Sequence, residues 1–105
     1  MIPKTKTYRS IKYLTFIRSL PCSIQGCGYD SEAHHIETGG IGMKGSDLLT
    51  IPLCRYHHSQ YHSIGRMTFC DKYNIDKWEV VAKCTEKYIM ELEEEIEEWK
   101  LDCYD

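Results

Sequence analysis

The 105-residue chain reads as one small α+β domain stapled by zinc. Three observations carry that reading. Cysteines and a histidine occur in two pairs, Cys22 with Cys27 and Cys54 with His57, suited to one closed tetrahedral site. Between the pairs lie two short strand candidates separated by a run with four glycines (GGIGMKGS), the pattern of a hairpin. Helical periodicity brackets this centre, in a short segment before Pro21 and a long one after Asp76.

Taken in order, residues 1–9 are a flexible basic lead. Ser10 to Leu20 form a short helix with Ile11, Leu14 and Ile17 at helical spacing, or Tyr13, Phe16 and Leu20 on the other register; Pro21 ends it. The run C22-SIQG-C27-G is a knuckle in which Gly26 and Gly28 permit the tight turn that aims two thiolates at one ion. Ala33 to Glu37 is a strand, Gly39 to Ser46 a loop, and Leu48 to Ile51 the return strand. After Pro52 comes a helix of about ten residues from Leu53 or Cys54 to Ser63, ended by Gly65. Thr68 caps a short helix to Tyr73. Asp76 with Glu79 opens a long helix from Lys77 to about Lys100.

The long helix carries an apolar stripe from Trp78 through Val81, Thr85, Tyr88, Ile89, Leu92 and Ile96 to Trp99, predicted to pack on the core. It would be roughly 36 Å long, longer than the zinc module beneath it. Its end is crowded with glutamates, Glu91, Glu93, Glu94, Glu95, Glu97 and Glu98, which oppose the helix dipole. Either that end frays or a partner covers it. On the second alternative the long helix is a site for a homodimer or a partner protein.

Composition narrows the class. At 42% hydrophobic and 28% charged, the chain has a globular balance. No apolar run approaches the roughly 20 residues of a membrane helix, and the polar start is unlike a signal peptide. Three of the six cysteines sit in zinc-type spacing, while Cys70, Cys84 and Cys103 fall in predicted helices or at the end, which suits a reducing cytoplasm. The net charge of −3 hides an asymmetry: Lys4, Lys6, Arg9, Lys12 and Arg18 precede residue 20 with no acid among them. A basic start with an acidic tail fits a nucleic-acid-facing N-terminal part, or faces that are merely solvated.

All five histidines lie between positions 34 and 62. Cys54 and His57, three apart at a helix start, share a face and can reach the ion held by Cys22 and Cys27. His58 lies about 100° of helix rotation from His57 and cannot easily join that ion. Its natural partner is His62, and a His-x-x-x-His pair on a helix commonly holds a divalent metal. His34 and His35 occupy successive strand positions and project to opposite sides. One can ligate while the other serves nearby as a general base, the usual task of a neutral imidazole. Residue types alone do not say which does which. The surplus imidazoles point to a second metal doing chemistry, and an all-histidine site suits zinc or nickel.

AHHI at 33–36, the glycine-rich loop with Ser46-Asp47, and PLCRYHHSQYH at 52–62 together resemble the HNH endonuclease superfamily, with its ββα-metal or treble-clef fold. More narrowly, the run from LPC to HHSQYH is similar to phage and prophage recombination-associated nucleases of the Ref/YbcO type. The likeness covers residues 14–75, the zinc and HNH core, with the acidic helix of residues 77–100 beyond it in one domain of residues 1–105.

The resemblance implies a DNA endonuclease in which His34, His58 and His62 hold a catalytic divalent ion (magnesium, manganese or zinc) and His35 is the general base. It implies structural zinc on Cys22, Cys27, Cys54 and His57. The family usually carries an asparagine or similar polar residue on the second strand. That position falls near Leu49, and Asp47 and Thr50 are the polar substitutes for orienting the base. Lys44, Arg55, Arg66 and the basic lead are candidates for phosphate contacts. No element reads as a base-reading helix, so weak sequence preference is expected. The rival reading is a non-catalytic treble-clef zinc module that binds DNA or protein.

Overall fold

Ser10 starts the first helix: its backbone is extended and its hydroxyl accepts the Tyr13 N–H at 3.0 Å, capping α1 (Ile11–Ser19). The computed structural model describes residues 7–40 and 43–103, and the side chains of residues 7–37 and 45–100. Tyr13 and Ile17 are fully buried on the inner face of α1 and meet Cys84 of the last helix. The Tyr13 ring stands edge-on to Tyr88 at 4.9 Å and its hydroxyl lies 3.2 Å from Thr85 Oγ1.

The knuckle follows. Gly26 (φ +80°) and Gly28 (φ +74°), on either side of Cys27, adopt left-handed backbone that L side chains rarely tolerate, so the knuckle favours glycine at both. Ser23 fastens it to the sheet, donating both its N–H (2.8 Å) and its hydroxyl (2.7 Å) to the Pro52 carbonyl.

β1 (Ser31–His35) pairs antiparallel with β4 (Thr50–Cys54), setting His34 opposite Ile51 and His35 opposite Thr50. All five β4 residues are buried. A second antiparallel pair, β2 (Thr38–Gly40) with β3 (Met43–Lys44), extends the excursion between them. Gly45 closes its base: its N–H donates to the Glu37 carbonyl at 3.0 Å, and an added Cβ would lie 2.2 Å from that oxygen.

α2 (Arg55–Ile64), α3 (Arg66–Tyr73) and α4 (Lys77–Cys103) complete an α+β fold with four helices and two antiparallel strand pairs among the described residues. The Cys54 sulfur accepts the His57 N–H and so caps α2. Asp76 Oδ1 accepts the N–H groups of Trp78 (3.0 Å) and Glu79 (3.3 Å) at the start of α4. The main core joins β4 to α2, α3 and α4 through Ile51, Leu53, Tyr61, Phe69 and Val81.

Several elements differ from their sequence-based expectation. The glycine run is no simple loop, because part of it pairs as β2 and β3. The return strand is Thr50–Cys54, displaced because the Leu49 N–H is taken by the Ser46 carbonyl in a turn. α3 starts at Arg66 rather than after Thr68, anchored by fully buried Phe69. The apolar stripe of α4 does not pack along its whole length. Val81 and Cys84 are buried, but Ile89, Ile96 and Trp99 are 48%, 52% and 66% exposed because the helix outruns the body. The end of the basic lead is not loose: the Asp47 N–H donates to the Tyr8 carbonyl at 3.1 Å. Lys4, Lys6 and the Lys44 side chain lie outside the described residues.

Candidate functional site

The knuckle and the first turn of α2 bring Cys22, Cys27, Cys54 and His57 together. His57 Nδ1 lies 3.6 Å from Cys22 Sγ, 3.6 Å from Cys27 Sγ and 3.1 Å from Cys54 Sγ, while Cys27 and Cys54 sulfurs are 3.6 Å apart. A tetrahedron with metal–sulfur bonds of about 2.3 Å and metal–nitrogen bonds of about 2.0 Å has edges of roughly 3.5–3.8 Å. Most of the four separations match that, and 3.6 Å is far beyond a disulfide bond of about 2.0 Å. The quartet is close enough to hold a metal ion. Burial pushes the Cys22 thiol up to about 11, whereas the Tyr29 amide holds Cys27 below the ordinary thiol value. A cation is what would bring all three sulfurs to thiolates.

One residue further along α2, a second group forms. Potential ligand atoms of His34, His58 and His62 lie within 4.8 Å of one another. Their ring centroids are separated by 4.5 Å (His34–His58), 5.1 Å (His34–His62) and 5.1 Å (His58–His62). His34 is 1% exposed, and neither of its ring nitrogens has a hydrogen-bond partner. Such an orphaned pair of buried polar atoms costs about 1–3 kcal/mol per group. Burial, then the neighbouring His58, His62 and His35 and the more distant Lys77, push His34 down to about 3, so it stays a neutral donor. His58 Nδ1 meets Glu32 Oε1 at 3.0 Å, which leaves Nε2 to turn inward. A carboxylate on the outer nitrogen is how ligating histidines are commonly oriented. The Tyr61 ring covers His34 at 4.2 Å.

His35 faces the other side of β1. Its Nε2 lies 2.8 Å from Asp47 Oδ1. An ionised carboxylate only accepts, so Nε2 carries a hydrogen, and whenever the ring is neutral Nδ1 is its bare nitrogen. Asp47 is itself held: Oδ2 accepts the Ser10 N–H at 2.8 Å and Oδ1 meets Arg9 at 3.3 Å. Burial works to raise the Asp47 carboxyl, but the hydrogen bonds from His35 and Ser10 and the charges of His35 and Arg9 outweigh it and hold it below its ordinary value. Arg9, Ser10, Ile11, Leu14, His35 and Asp47 line a cleft of about 520 Å³.

Thr50 does not orient His35 directly. Its hydroxyl donates to the Asp47 carbonyl at 2.8 Å, so it acts on the backbone that delivers Asp47. Leu49, where the HNH resemblance leads one to expect a polar residue, packs against the main core. Arg55 and Arg66 are exposed and line other clefts, so neither joins His35. Sequence reasoning missed Glu32 altogether. A glutamate two residues before the histidine pair carries no signal until α2 is seen to place His58 beside it. It also placed Arg9 only in a general basic arm, since the bond to Asp47 spans 38 positions.

Among the described residues no helix is long and apolar enough to cross a membrane. No solved structure matches the chain. A curated relative, the "Uncharacterized protein YdfU" of Escherichia coli (strain K12), is 36% identical over 74 residues, which is 69% of this chain and 21% of that protein. The chain thus spans about a fifth of the length of that relative. A family model described as "Protein of unknown function (DUF968)" matches residues 1–91, and the chain belongs to that family.

Proposed function

We propose that the chain is a metal-dependent DNA endonuclease of the HNH type, a phosphodiester hydrolase on a treble-clef core, similar to phage and prophage recombination nucleases of the Ref/YbcO type. The observation that carries this reading is the pairing of two features on adjacent strand positions. A buried, hydrogen-bond-starved His34 meets His58 and His62 on one face, and a carboxylate-oriented His35 lies on the other. Binding alone requires neither.

Cys22, Cys27, Cys54 and His57 hold zinc that staples the knuckle to α2. His34, His58 and His62 hold a second divalent ion (magnesium, manganese or zinc), which supplies Lewis-acid stabilisation of charge on the phosphodiester. His35 takes the proton of the attacking water at Nδ1. Asp47 keeps Nε2 protonated, aims the ring and stabilises the imidazolium that forms. Arg9, on the rim of the same cleft, contributes positive charge toward a phosphate. Weak sequence preference and a place in the reducing cytoplasm go with this reading; none of the five cysteines whose side chains are described is in a disulfide.

The test is plasmid nicking with metal add-back. His35→Ala should cut on the order of 10²–10⁴ times more slowly with its fold intact. Undiminished cutting would remove His35 from the chemistry.

One observation favours a second reading, a non-catalytic zinc module that binds DNA or protein: Leu49 is apolar and packed against the core. Metal stoichiometry separates the two. One tightly held zinc per chain fits the binding module; an additional, readily chelated divalent ion fits the nuclease.

A further inference from the structure

The last third of α4 carries the most conspicuous unpartnered surface among the described residues. From residue 93 to residue 100 every position is exposed, and this part of the helix reaches the body through an exposed Glu95–Lys12 contact. Yet Ile89 and Met90 just before it, and Ile96 and Trp99 on it, stand 48–66% exposed. A solvated helix does not need large apolar side chains at that density.

Their spacing is ordered. Ile89, Leu92, Ile96 and Trp99 follow one another by three, four and three residues, the alternation of a coiled-coil seam. This line is distinct from the core-facing line of Val81, Cys84 and Tyr88 that binds α4 to α1 and β4. With Ile89 and Ile96 at the first apolar position of the heptad and Leu92 and Trp99 at the second, the charges sort themselves. Glu91, Glu94, Glu97 and Glu98 fall at outward positions, where like charges on paired helices are farthest apart. Only Glu93, Glu95 and Lys100 flank the seam from Ile89 to Trp99.

We infer that this stretch of α4 is a parallel two-stranded coiled-coil interface with a second copy of this chain. The flanking charges select the partner and its direction. In a parallel pair Glu95 of one copy meets Lys100 of the other, five positions along, twice per dimer by symmetry. An antiparallel pair separates these opposite charges, because like flanks then face each other. Glu95 already reaches for a lysine within one chain, lying 3.5 Å from Lys12, and that contact is exposed and readily exchanged. Four apolar layers make a small interface, at the low end below about 1,200 Å², so association is expected to be weak and dependent on concentration. The inference is independent of the nuclease reading.

Sedimentation velocity over a concentration series tests it on the full chain. The wild type should approach twice the 12.3 kDa chain mass as concentration rises. Ile89→Glu with Ile96→Glu should stay monomeric with unchanged helix content and bound metal, since both side chains are about half exposed in the single chain. Lys100→Glu should weaken association about tenfold, and adding Glu95→Lys should restore it, because the pair is merely exchanged. A wild type that remains monomeric overturns the proposal, as does a dimer that survives the isoleucine substitutions. Association indifferent to both charge variants overturns the parallel arrangement.

Discussion

His35 Nε2 and Asp47 Oδ1 are 2.8 Å apart, and Asp47 is only 3% exposed. A carboxylate so enclosed fixes both the tautomer and the plane of the imidazole. Asp47→Asn should preserve the shape while losing the charge that holds Nε2–H. Cutting should drop by about 10² or more, as read by single-turnover cleavage of a labelled duplex. The Ser10 amide can still bond to the side chain, so the melting temperature should move much less than the rate. Full activity in Asp47→Asn would leave this aspartate only an anchoring role for Ser10 and Arg9.

Glu32 is the carboxylate that orients His58, through a 3.0 Å contact on a half-exposed surface. An exposed pair of this kind adds little to folding. Its effect should fall on the ion instead. Glu32→Gln should weaken divalent-ion affinity at the His34/His58/His62 group about 10–100-fold, measured by calorimetric titration with manganese, with thermal stability nearly unchanged. Identical affinities would reduce this contact to a surface ornament.

Cys54 has three tasks: it caps α2, pairs opposite Ser31 in the sheet, and stands 3.1 Å from His57 Nδ1. Structural zinc sites contribute apparent binding free energies of about 10–16 kcal/mol, comparable to the whole stability of a small domain, about 5–15 kcal/mol. Cys54→Ala should therefore lose its tightly held ion and most of its helical circular dichroism signal together. A folded, zinc-free variant would show that the core suffices without the staple.

Acid should weaken the fold through His34. Burial and neighbouring imidazoles hold it near 3, against an ordinary value of 6.5 in the unfolded chain. Between those values the unfolded chain binds a proton that the folded chain does not. The stability linked to His34 is thus complete above pH 6.5 and drains away as pH falls toward 3. Urea melts at pH 7.5 and pH 5 should show a lower midpoint at pH 5. An unchanged or higher midpoint would contradict this burial of a neutral imidazole.

Much of this geometry was legible before any coordinates. Cys54 caps one short helix and His57, His58 and His62 lie on it, where angular offset alone separates the two groups, and strand alternation alone sends His34 and His35 apart. Local rules have short reach, and these features lie within it. Gly65 as a stop and Asp76 as a start were readable for the same reason, whereas Ser10, read as the first helical residue, proved to be the cap. What escaped depends on distant pairing. Glu32 with His58 and Arg9 with Asp47 meet only after the sheet closes. The α4 stripe misled because one periodicity served two faces, and period does not reveal where the body beneath a helix stops.

α2 is ten residues long, and both candidate metal groups draw ligands from it. The sulfur-rich group grips its first turn, and the imidazole group stands on the next. An oxidant that strips thiolates from their ion would loosen the very platform on which His58 and His62 are mounted. Reactivity could then be silenced by an injury to atoms that never approach the substrate, and chelation strong enough to remove the tighter ion would erase the weaker site along with it.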